Sequence, residues 1–246
     1  MRTTAGDAPH TTKPAVKRSV GRPRQITLKQ ITAAAMEIGL DKLTLLGVAN
    51  VLGVTPSALY RHIDNREDLI TKFVAEVTEQ FPIPGYQGEG WAQWASGFAH
   101  SLLDMYTAVP GLADYTLRKT HVGQSVLHRH ETSIRAAKES GFSEIEALYA
   151  TRAIIEFVAG WVTRSQRRDV AGEESGVHPD LEFRKSALAF KGDHYPNVRS
   201  ALLAVGKRDP LHRFDYTLDA LIAGLSCRRG ELEIPAVRPA GKRLRQ

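Results

Sequence analysis

Apolar side chains recur every three to four residues along most of this 246-residue chain, which is the period of an amphipathic α-helix. A first repeat begins after Thr27 and stops at Gly39; a second begins after Thr44 and stops at Gly53. Their apolar positions are Leu28, Ile31, Ala35 and Ile38, followed by Leu45, Val48 and Leu52. Thr44 can cap the second helix, and Gly53 fits a left-handed C-terminal glycine. The pattern predicts two helices in close succession.

The next stretch, GVTPSALYRHIDNREDL at residues 53–69, predicts a third helix from Pro56 to about His62. Pro56 holds Thr55 extended, which suits a threonine whose side-chain oxygen caps the helix. A fourth helix follows a cap at Asp64 or Asn65. Its inward positions, together with those of the third helix, are Ala58, Leu59, Ile63, Leu69, Ile70, Phe73, Val74 and Val77.

The third helix is too short to be stable in isolation, because an independent helix needs about 12 residues or more. Its neighbours must therefore hold it, and its polar residues are free to face outward. Two helices separated by GVT and crossing steeply form a helix-turn-helix, whose second helix enters a nucleic-acid groove. The pattern predicts such a unit here, although enzymes also contain similar turns between helices.

The remaining repeats predict a larger helical region behind a Pro/Gly-rich connector at residues 81–90. Helices are predicted over 91–107, 122–139, 143–168 and about 212–227, and the segment 170–195 is too mixed to assign. The 143–168 helix is apolar on nearly two faces, so both faces must be buried. One face can close a ligand pocket and the other can pack on a second subunit.

Composition excludes several classes of protein. No run of 18 apolar residues occurs, which excludes a transmembrane helix, and the N-terminus lacks the apolar core of a secretory signal. With Cys227 as the single cysteine, no intrachain disulfide can form, and a reducing cytoplasm fits. We therefore expect a cytoplasmic protein without a membrane partner.

Basic charge is concentrated at the two ends of the chain. Residues 1–24 hold six Lys/Arg against one acidic residue, and residues 228–246 hold six against two. The N-terminal stretch is aperiodic, which is typical of a disordered arm. Basic arms on a nearly neutral body indicate a polyanionic partner, with solubilising disorder as the alternative; for the C-terminal tail, residues 229–246, solubilisation is the favoured interpretation.

No reactive constellation is present. The sequence contains no G-x-S-x-G, H-E-x-x-H or P-loop motif. His128 and Glu131 share a helix face, but a metal site usually needs a third and a fourth ligand. We therefore expect no enzyme activity, no metal and no cofactor.

Residues 21–77 resemble the DNA-binding domain of the TetR family of bacterial transcription regulators. The matching segments are GRPR, ITAAAMEIG, VANVLGV and LYRHIDNREDLI. The aromatic-x-His triplet before a capped acidic helix is the specific part. Segments of residues 91–115, 128–162 and 214–225 resemble the ligand-binding domain of the tetracycline-repressor branch. The resemblance implies an all-α homodimer, with a DNA-binding domain at 25–80 and a ligand-binding and dimerisation domain at 91–228.

The resemblance implies a set of DNA-binding residues. Thr44, Tyr60, His62 and Arg66 match the family's phosphate contacts, while Thr55, Ser57 and Ala58 match the region that reaches base edges. Arg61 fits either role, and packing or capping remain alternatives for Ser57 and His62. Leu46 stands where the family often has an arginine, so Arg22 and Arg24 of the arm are expected to carry much of the charge, in the minor groove.

The resemblance also guides the assignment of the larger domain. The expected ligand-binding residues are Phe98, Leu102, Tyr106, His128, Arg152, Ile155 and Glu156. The expected dimer contacts are Ile154, Phe157, Trp161, Leu218, Leu221 and Leu225, on the last two long helices. Arg152 and Glu156 are either a polar anchor for an apolar effector or a simple intrahelical pair.

The expected function is a ligand-responsive repressor that binds a palindromic operator and is released by a largely apolar or aromatic small molecule. The alternative is an architectural or nucleoid DNA-binding protein without an effector, which would show no sequence preference.

Overall fold

The structure is a computed structural model and describes residues 26–118, 123–175, 179–189, 195–205 and 210–231. These residues form eleven α-helices and one 3₁₀ turn and contain no strand, so the predicted all-α fold is confirmed. The basic arm with Arg22 and Arg24, and the tail beyond residue 231, lie outside the described residues. Within the described part of the chain, no helix has the length and apolar character needed to span a bilayer.

The N-terminal unit consists of four helices around a small core. They are α1 (Leu28–Ile38), α2 (Leu45–Leu52), α3 (Pro56–Leu59) and α4 (Arg66–Gln80), with the 3₁₀ turn Leu40–Lys42 after α1. Thr27 and Gln30 cap α1 reciprocally, and α1 packs on both α2 and α4. Leu59 and Ile63, at either end of the turn that follows α3, are fully buried. The burial of these two side chains therefore fixes α3 against the neighbouring helices.

Seven helices form the larger unit. They are α5 (Trp91–Ala108), α6 (Leu112–Arg118), α7 (Gln124–Glu139), α8 (Glu144–Ser175), α9 (Pro179–Ala189), α10 (Pro196–Val205) and α11 (Pro210–Cys227). With 32 residues, α8 is roughly 48 Å long. It packs against α5, α6, α7 and α11 and forms the spine of this unit.

The connector between the units is fastened to the larger one. Trp94 Nε1 donates a hydrogen bond to Pro84 O at 2.9 Å, and Ser101 Oγ donates one to Pro82 O at 3.0 Å. Tyr86 OH lies 3.0 Å from Oγ of Ser140, the residue that follows α7. The proline-rich segment is therefore an ordered strap along α5 and α7.

Several elements differ from the sequence-based expectation. Helix α3 ends at Leu59, and residues 60–62 form a turn instead of continuing the helix to His62. The long helix α8 continues to Ser175 rather than ending near residue 168. Helices α6, α9 and α10 were not predicted. At seven residues α6 is too short to show a helical period, α9 lies in the unassigned segment 170–195, and α10 follows that segment.

Candidate nucleic-acid interface and effector site

The turn between α2 and α3 depends on Gly53, whose backbone is left-handed at φ 65° and ψ 36°. Its N–H donates to the carbonyl oxygens of Ala49 and Asn50, and Val54 N donates to Ala49 O at 3.0 Å. These bonds close the C-terminus of α2 as glycine at this position is expected to do. The chain then turns directly into α3, which completes a helix-turn-helix.

Two hydroxyl groups mark the start of α3. Thr55 Oγ1 and Ser57 Oγ are 2.9 Å apart and hydrogen bonded, and both residues are exposed. The prediction that the Thr55 side chain caps α3 is wrong: it makes no cap hydrogen bond, because its hydroxyl pairs with Ser57. The backbone carbonyl of Thr55 accepts from Ala58 N at 2.9 Å instead. Both hydroxyls are consequently on the outer surface of the turn.

The cap that Thr44 forms at the start of α2 accounts for the glycine at position 47. Thr44 Oγ1 accepts the Gly47 N–H at 3.0 Å, which confirms the predicted cap. A Cβ on Gly47 would lie 3.1 Å from that same oxygen. The glycine that looks unfavourable inside a helix therefore leaves room for the cap. The capped hydroxyl keeps its own proton, which can be donated to a phosphate.

The segment from α3 to α4 is tied down by polar contacts. Asn65 Oδ1 accepts from Asp68 N at 3.0 Å and caps α4. Asp68 Oδ2 accepts from Asp64 N at 2.9 Å and from Lys72 Nζ at 2.7 Å. Burial acts to raise the pKa of the Asp68 carboxyl, but these hydrogen bonds and the charge of Lys72 outweigh it, and the pKa is lowered. The turn that presents Tyr60 and Arg61 is thereby fixed from its C-terminal side.

Most of the residues expected to bind DNA lie on the surface. Thr44, Thr55, Ser57, Tyr60, Arg61 and Arg66 are exposed, whereas Ala58 and His62 are half-buried. Arg66 Nε donates to Leu43 O at 3.3 Å, which brings the start of α4 beside Thr44 at the start of α2. Lys72, which no sequence motif singled out, donates to His62 O at 2.7 Å and holds that residue's backbone.

The residues expected to bind a ligand divide between the interior and the surface. Phe98, Leu102 and Tyr106 lie four residues apart on one face of α5 and are at most 2% exposed. His128, Arg152 and Glu156 are exposed, and Ile155 is half-buried. Arg152 Nη2 lies 3.3 Å from Glu156 Oε1, and both side chains are more than half exposed. The structure does not bring this pair to the α5 stripe, so the polar-anchor assignment needs correction to a surface ion pair.

Sequence reasoning missed Arg129 on α7, a charged residue in the interior. Its side chain is 8% exposed, and Nη2 donates to Phe81 O and, at 3.2 Å, to Thr78 O. These carbonyls belong to the last turn of α4 and the residue after it, where helices leave carbonyls without partners. The available signal was its helical spacing with Val126, Ser133 and Ala136, which puts an arginine on the apolar face of α7.

Tyr106 is the titratable neighbour of Arg129. Burial raises the pKa of the Tyr106 hydroxyl, an effect only partly offset by a hydrogen bond with Thr116 and by the positive charge of Arg129. Burial lowers the pKa of the Arg129 guanidinium, and the charge of Tyr106 opposes this. The Arg129 nitrogens Nε and Nη1 are buried and have no hydrogen-bond partner among the described residues.

The residues expected at a dimer interface are also divided. Ile154 and Leu218 are fully buried within the chain itself and cannot present a surface to a partner, so their assignment needs correction. Phe157 and Trp161 are half-buried around Phe214, with ring centroids at 5.3 and 5.4 Å from it. Leu221 and Leu225 are half-buried on α11. The outward faces of α8 and α11 instead carry Ile145, Leu148, Tyr149, Tyr216, Ala220, Ala223 and Gly224.

The two units meet at a second junction. Leu40 N donates to Pro110 O at 2.9 Å, and the adjacent Asp41 carboxylate packs against Gly111, just before α6. Asp114 on α6 pairs with Arg118 and, at 2.7 Å, with Arg167 on α8. A cavity of about 230 Å³ lies here between Asp41, Asp114, Thr163, Gln166 and Arg167. The 3₁₀ turn of the DNA-binding unit is thus coupled through α6 to α8.

A helix-turn-helix joined to a larger helical domain is the architecture of a DNA-binding transcriptional regulator. The family described as Tetracyclin repressor-like, C-terminal domain, matches residues 83–229. The chain therefore belongs to the TetR family of transcriptional regulators.

Individual relatives agree with this membership. The tetracycline repressor protein class D of Escherichia coli is 26% identical over 215 residues, covering 81% of this chain and 89% of that repressor. Apo ActR from Streptomyces coelicolor has a similar fold, with a TM-score of 0.70 at 23% identity over 84% of this chain and 98% of that chain. ActR in complex with actinorhodin gives a TM-score of 0.69 at 22% identity over 83% and 99% of the two chains.

Proposed function

We propose that this chain represses transcription as a homodimer that binds a near-palindromic operator and is released by a small-molecule effector. The observation that carries the proposal is the exposed polar set at the helix-turn-helix, comprising Thr44, Thr55, Ser57, Tyr60, Arg61 and Arg66. Hydroxyl and guanidinium groups are the donors that phosphates and base edges accept. A dimer with two-fold symmetry presents two such surfaces, and its operator has the matching symmetry.

The outward faces of α8 and α11 support the homodimer. Ile145, Leu148 and Tyr149 leave apolar area exposed at the start of α8. On α11, Ala220, Ala223 and Gly224 are exposed, and their small side chains allow close approach of a second helix. The two helices pack against each other, so one partner can cover both. The exposed Arg152–Glu156 pair then lies at the edge of this interface.

The buried aromatic stripe supports the effector. Phe98, Leu102 and Tyr106 provide apolar and aromatic surface inside the larger domain, which suits a largely apolar or aromatic molecule. The structurally similar ActR has been solved in complex with a small molecule, actinorhodin. For this chain we propose an effector of aromatic character, without assigning its identity from that relative.

Operator binding is the experiment that tests the proposal. Purified protein is footprinted on DNA flanking its own gene, with and without an extract of small metabolites. We expect a protected, near-palindromic segment that is released by the extract. Ser57→Ala with Arg61→Ala should abolish protection, while Arg135→Ala, an exposed arginine on α7, should leave it intact. Binding without sequence preference would contradict the proposal and favour an architectural role.

Dimerisation is tested separately by sedimentation. Ala220→Arg places a long charged side chain on the outward face of α11 and should convert dimers to monomers. Ala92→Arg, at an exposed alanine of α5 away from that face, is the matched control. If Ala220→Arg sediments as the wild type does, the dimer surface lies elsewhere.

A further inference from the structure

Arg129 is an incompletely satisfied charge in the interior of the larger domain. Its side chain is 8% exposed and uses only Nη2, which donates to Thr78 O and Phe81 O. Among the described residues, Nε and Nη1 have no hydrogen-bond partner although both are shielded from solvent. No carboxylate of the described residues forms an ion pair with this guanidinium, and Tyr106 is a titratable neighbour. Buried arginines are ordinarily paired, so the free donors require an explanation.

The chemistry of the guanidinium limits which groups can accept hydrogen bonds from Nε and Nη1 of Arg129. Arginine has donors but no acceptor and stays protonated, so only acceptors can complete its shell. Oxyanions do this best, since hydrogen bonds between two charged groups are the strongest of their kind. A neutral apolar occupant would leave the charge unpaired, which is costly.

The residues near Arg129 indicate the chemistry of the rest of a ligand bound there. Tyr106 is its neighbour, and Leu102 and Phe98 extend from Tyr106 along the same face of α5 at four-residue spacing. The aromatic and aliphatic stripe of α5 therefore includes the residue that neighbours Arg129.

We propose that the effector is an otherwise apolar organic anion whose oxyanion binds Nε and Nη1 of Arg129, while its apolar body lies along the α5 stripe of Tyr106, Leu102 and Phe98. The inference rests on the proposed function, in which a small molecule controls this regulator, and adds the charge class of that molecule. A carboxylate, a sulfonate and an ionised phenol share this chemistry.

The test uses two fluorescent dyes with nearly the same aromatic body. Anilinonaphthalenesulfonate carries an anionic sulfonate, and phenylnaphthylamine is its uncharged counterpart. Both fluoresce when they enter apolar surroundings, so titration gives a dissociation constant for each without DNA. The wild type should bind the sulfonate about 10- to 100-fold more tightly than the amine, which is the worth of a charged hydrogen-bonded contact.

Three variants test whether Arg129 causes the tighter binding of the anionic dye. Arg129→Met should reduce this preference to near unity while the uncharged dye still binds. Arg135→Met removes an exposed arginine from the same helix and should keep the preference, which accounts for dye bound to surface charge. Because Arg129 also holds the end of α4, Arg129→Met could fail to fold. Arg129→Lys is the second variant: it retains a charge with fewer donors and should retain a reduced preference.

Equal affinity of the wild type for the two dyes would overturn the proposal, as would an undiminished preference in Arg129→Met. A small inorganic anion that permanently fills the site would give the first of these results. Footprinting of the same preparations separates this outcome from failure of the proposed function. Absence of sequence-specific operator binding by the wild type would contradict the proposed repressor function. The dye affinities test only the proposed role of Arg129.

Discussion

At the scale of single residues, Gly47 shows how a local preference is reversed by one contact. Replacing a glycine inside a helix with alanine ordinarily stabilises a protein by about 0.5–1 kcal/mol. At Gly47 the new Cβ would lie 3.1 Å from Thr44 Oγ1, the atom that caps α2. The cap must shift, and removing a threonine cap costs about 1 kcal/mol. The two effects oppose each other.

We therefore expect Gly47→Ala to leave the free energy of unfolding unchanged or lower it, measured by urea denaturation. Gly97→Ala is the matched control, since Gly97 is exposed within α5 and its nearest neighbour, Pro84 Cγ, is at an ordinary 3.6 Å. The control should gain most of the usual stabilisation. A gain at Gly47 as large as at Gly97 would show that the cap adapts freely.

Asp68 gives the DNA-binding unit a dependence on pH. Its folded-state pKa lies below the ordinary value of 3.8, so the carboxylate stabilises the fold above that pH and loses this effect as pH falls through the lowered pKa. We expect Asp68→Asn to lower the free energy of unfolding by about 1 kcal/mol at neutral pH and by progressively less below pH 3.8.

Denaturation of the wild type and Asp68→Asn across this range measures the effect, and Lys72→Met completes a double-mutant cycle. The coupling between the two residues should disappear together with the pH-dependent difference. A constant difference at every pH would mean that the mutation acts through packing and not through the charge.

At the scale of elements, the contact between the 3₁₀ turn and the start of α6 depends on Gly111. Its φ of 81° is a conformation that other residues rarely adopt, and a Cβ there would lie 2.5 Å from the Asp41 carboxylate. Gly88 has nearly the same φ, 86°, but has open space where a Cβ would be. An alanine at either position would therefore have the same backbone strain, but only at Gly111 would its Cβ also meet the Asp41 carboxylate.

We expect Gly88→Ala to cost about 1 kcal/mol of stability from backbone strain alone. Gly111→Ala should cost more and should also change operator affinity, because it separates Asp41 from α6 at the junction of the two units. Thermal unfolding and operator binding of both variants measure this. If the two variants behave alike, the Asp41–Gly111 contact does not couple the units.

The elements also show what the sequence could and could not predict. Helices α1, α2 and α4 follow the caps Thr27, Thr44 and Asn65, whose side-chain hydrogen bonds are local and can be anticipated from sequence. Helix α6 escaped prediction because seven residues hold too little periodicity. The role of Arg129 escaped because its partners, Thr78 O and Phe81 O, lie about 50 residues away. Ile154 and Leu218 were misassigned because an apolar pattern does not say which apolar face a partner covers.

At the scale of the whole molecule, basic charge is unevenly distributed along the chain. Residues 25–80 contain five Lys/Arg against seven Asp/Glu, so the helix-turn-helix unit is not basic. Residues 1–24, which lie outside the described structure, contain six Lys/Arg and directly precede α1. Since affinity for DNA comes largely from phosphate neutralisation, the arm is expected to supply much of it.

Deletion of residues 1–24 should therefore weaken operator binding strongly and flatten its dependence on salt. Removing one phosphate contact reduces the slope of log affinity against log salt by about 0.9, and the deletion takes two arms from each dimer. Deleting residues 232–246, which contain four Lys/Arg and follow α11, is the control and should leave the slope unchanged. An unaltered slope after removal of the arm would refute this role and place the phosphate contacts on Arg61, Arg66 and the helix termini alone.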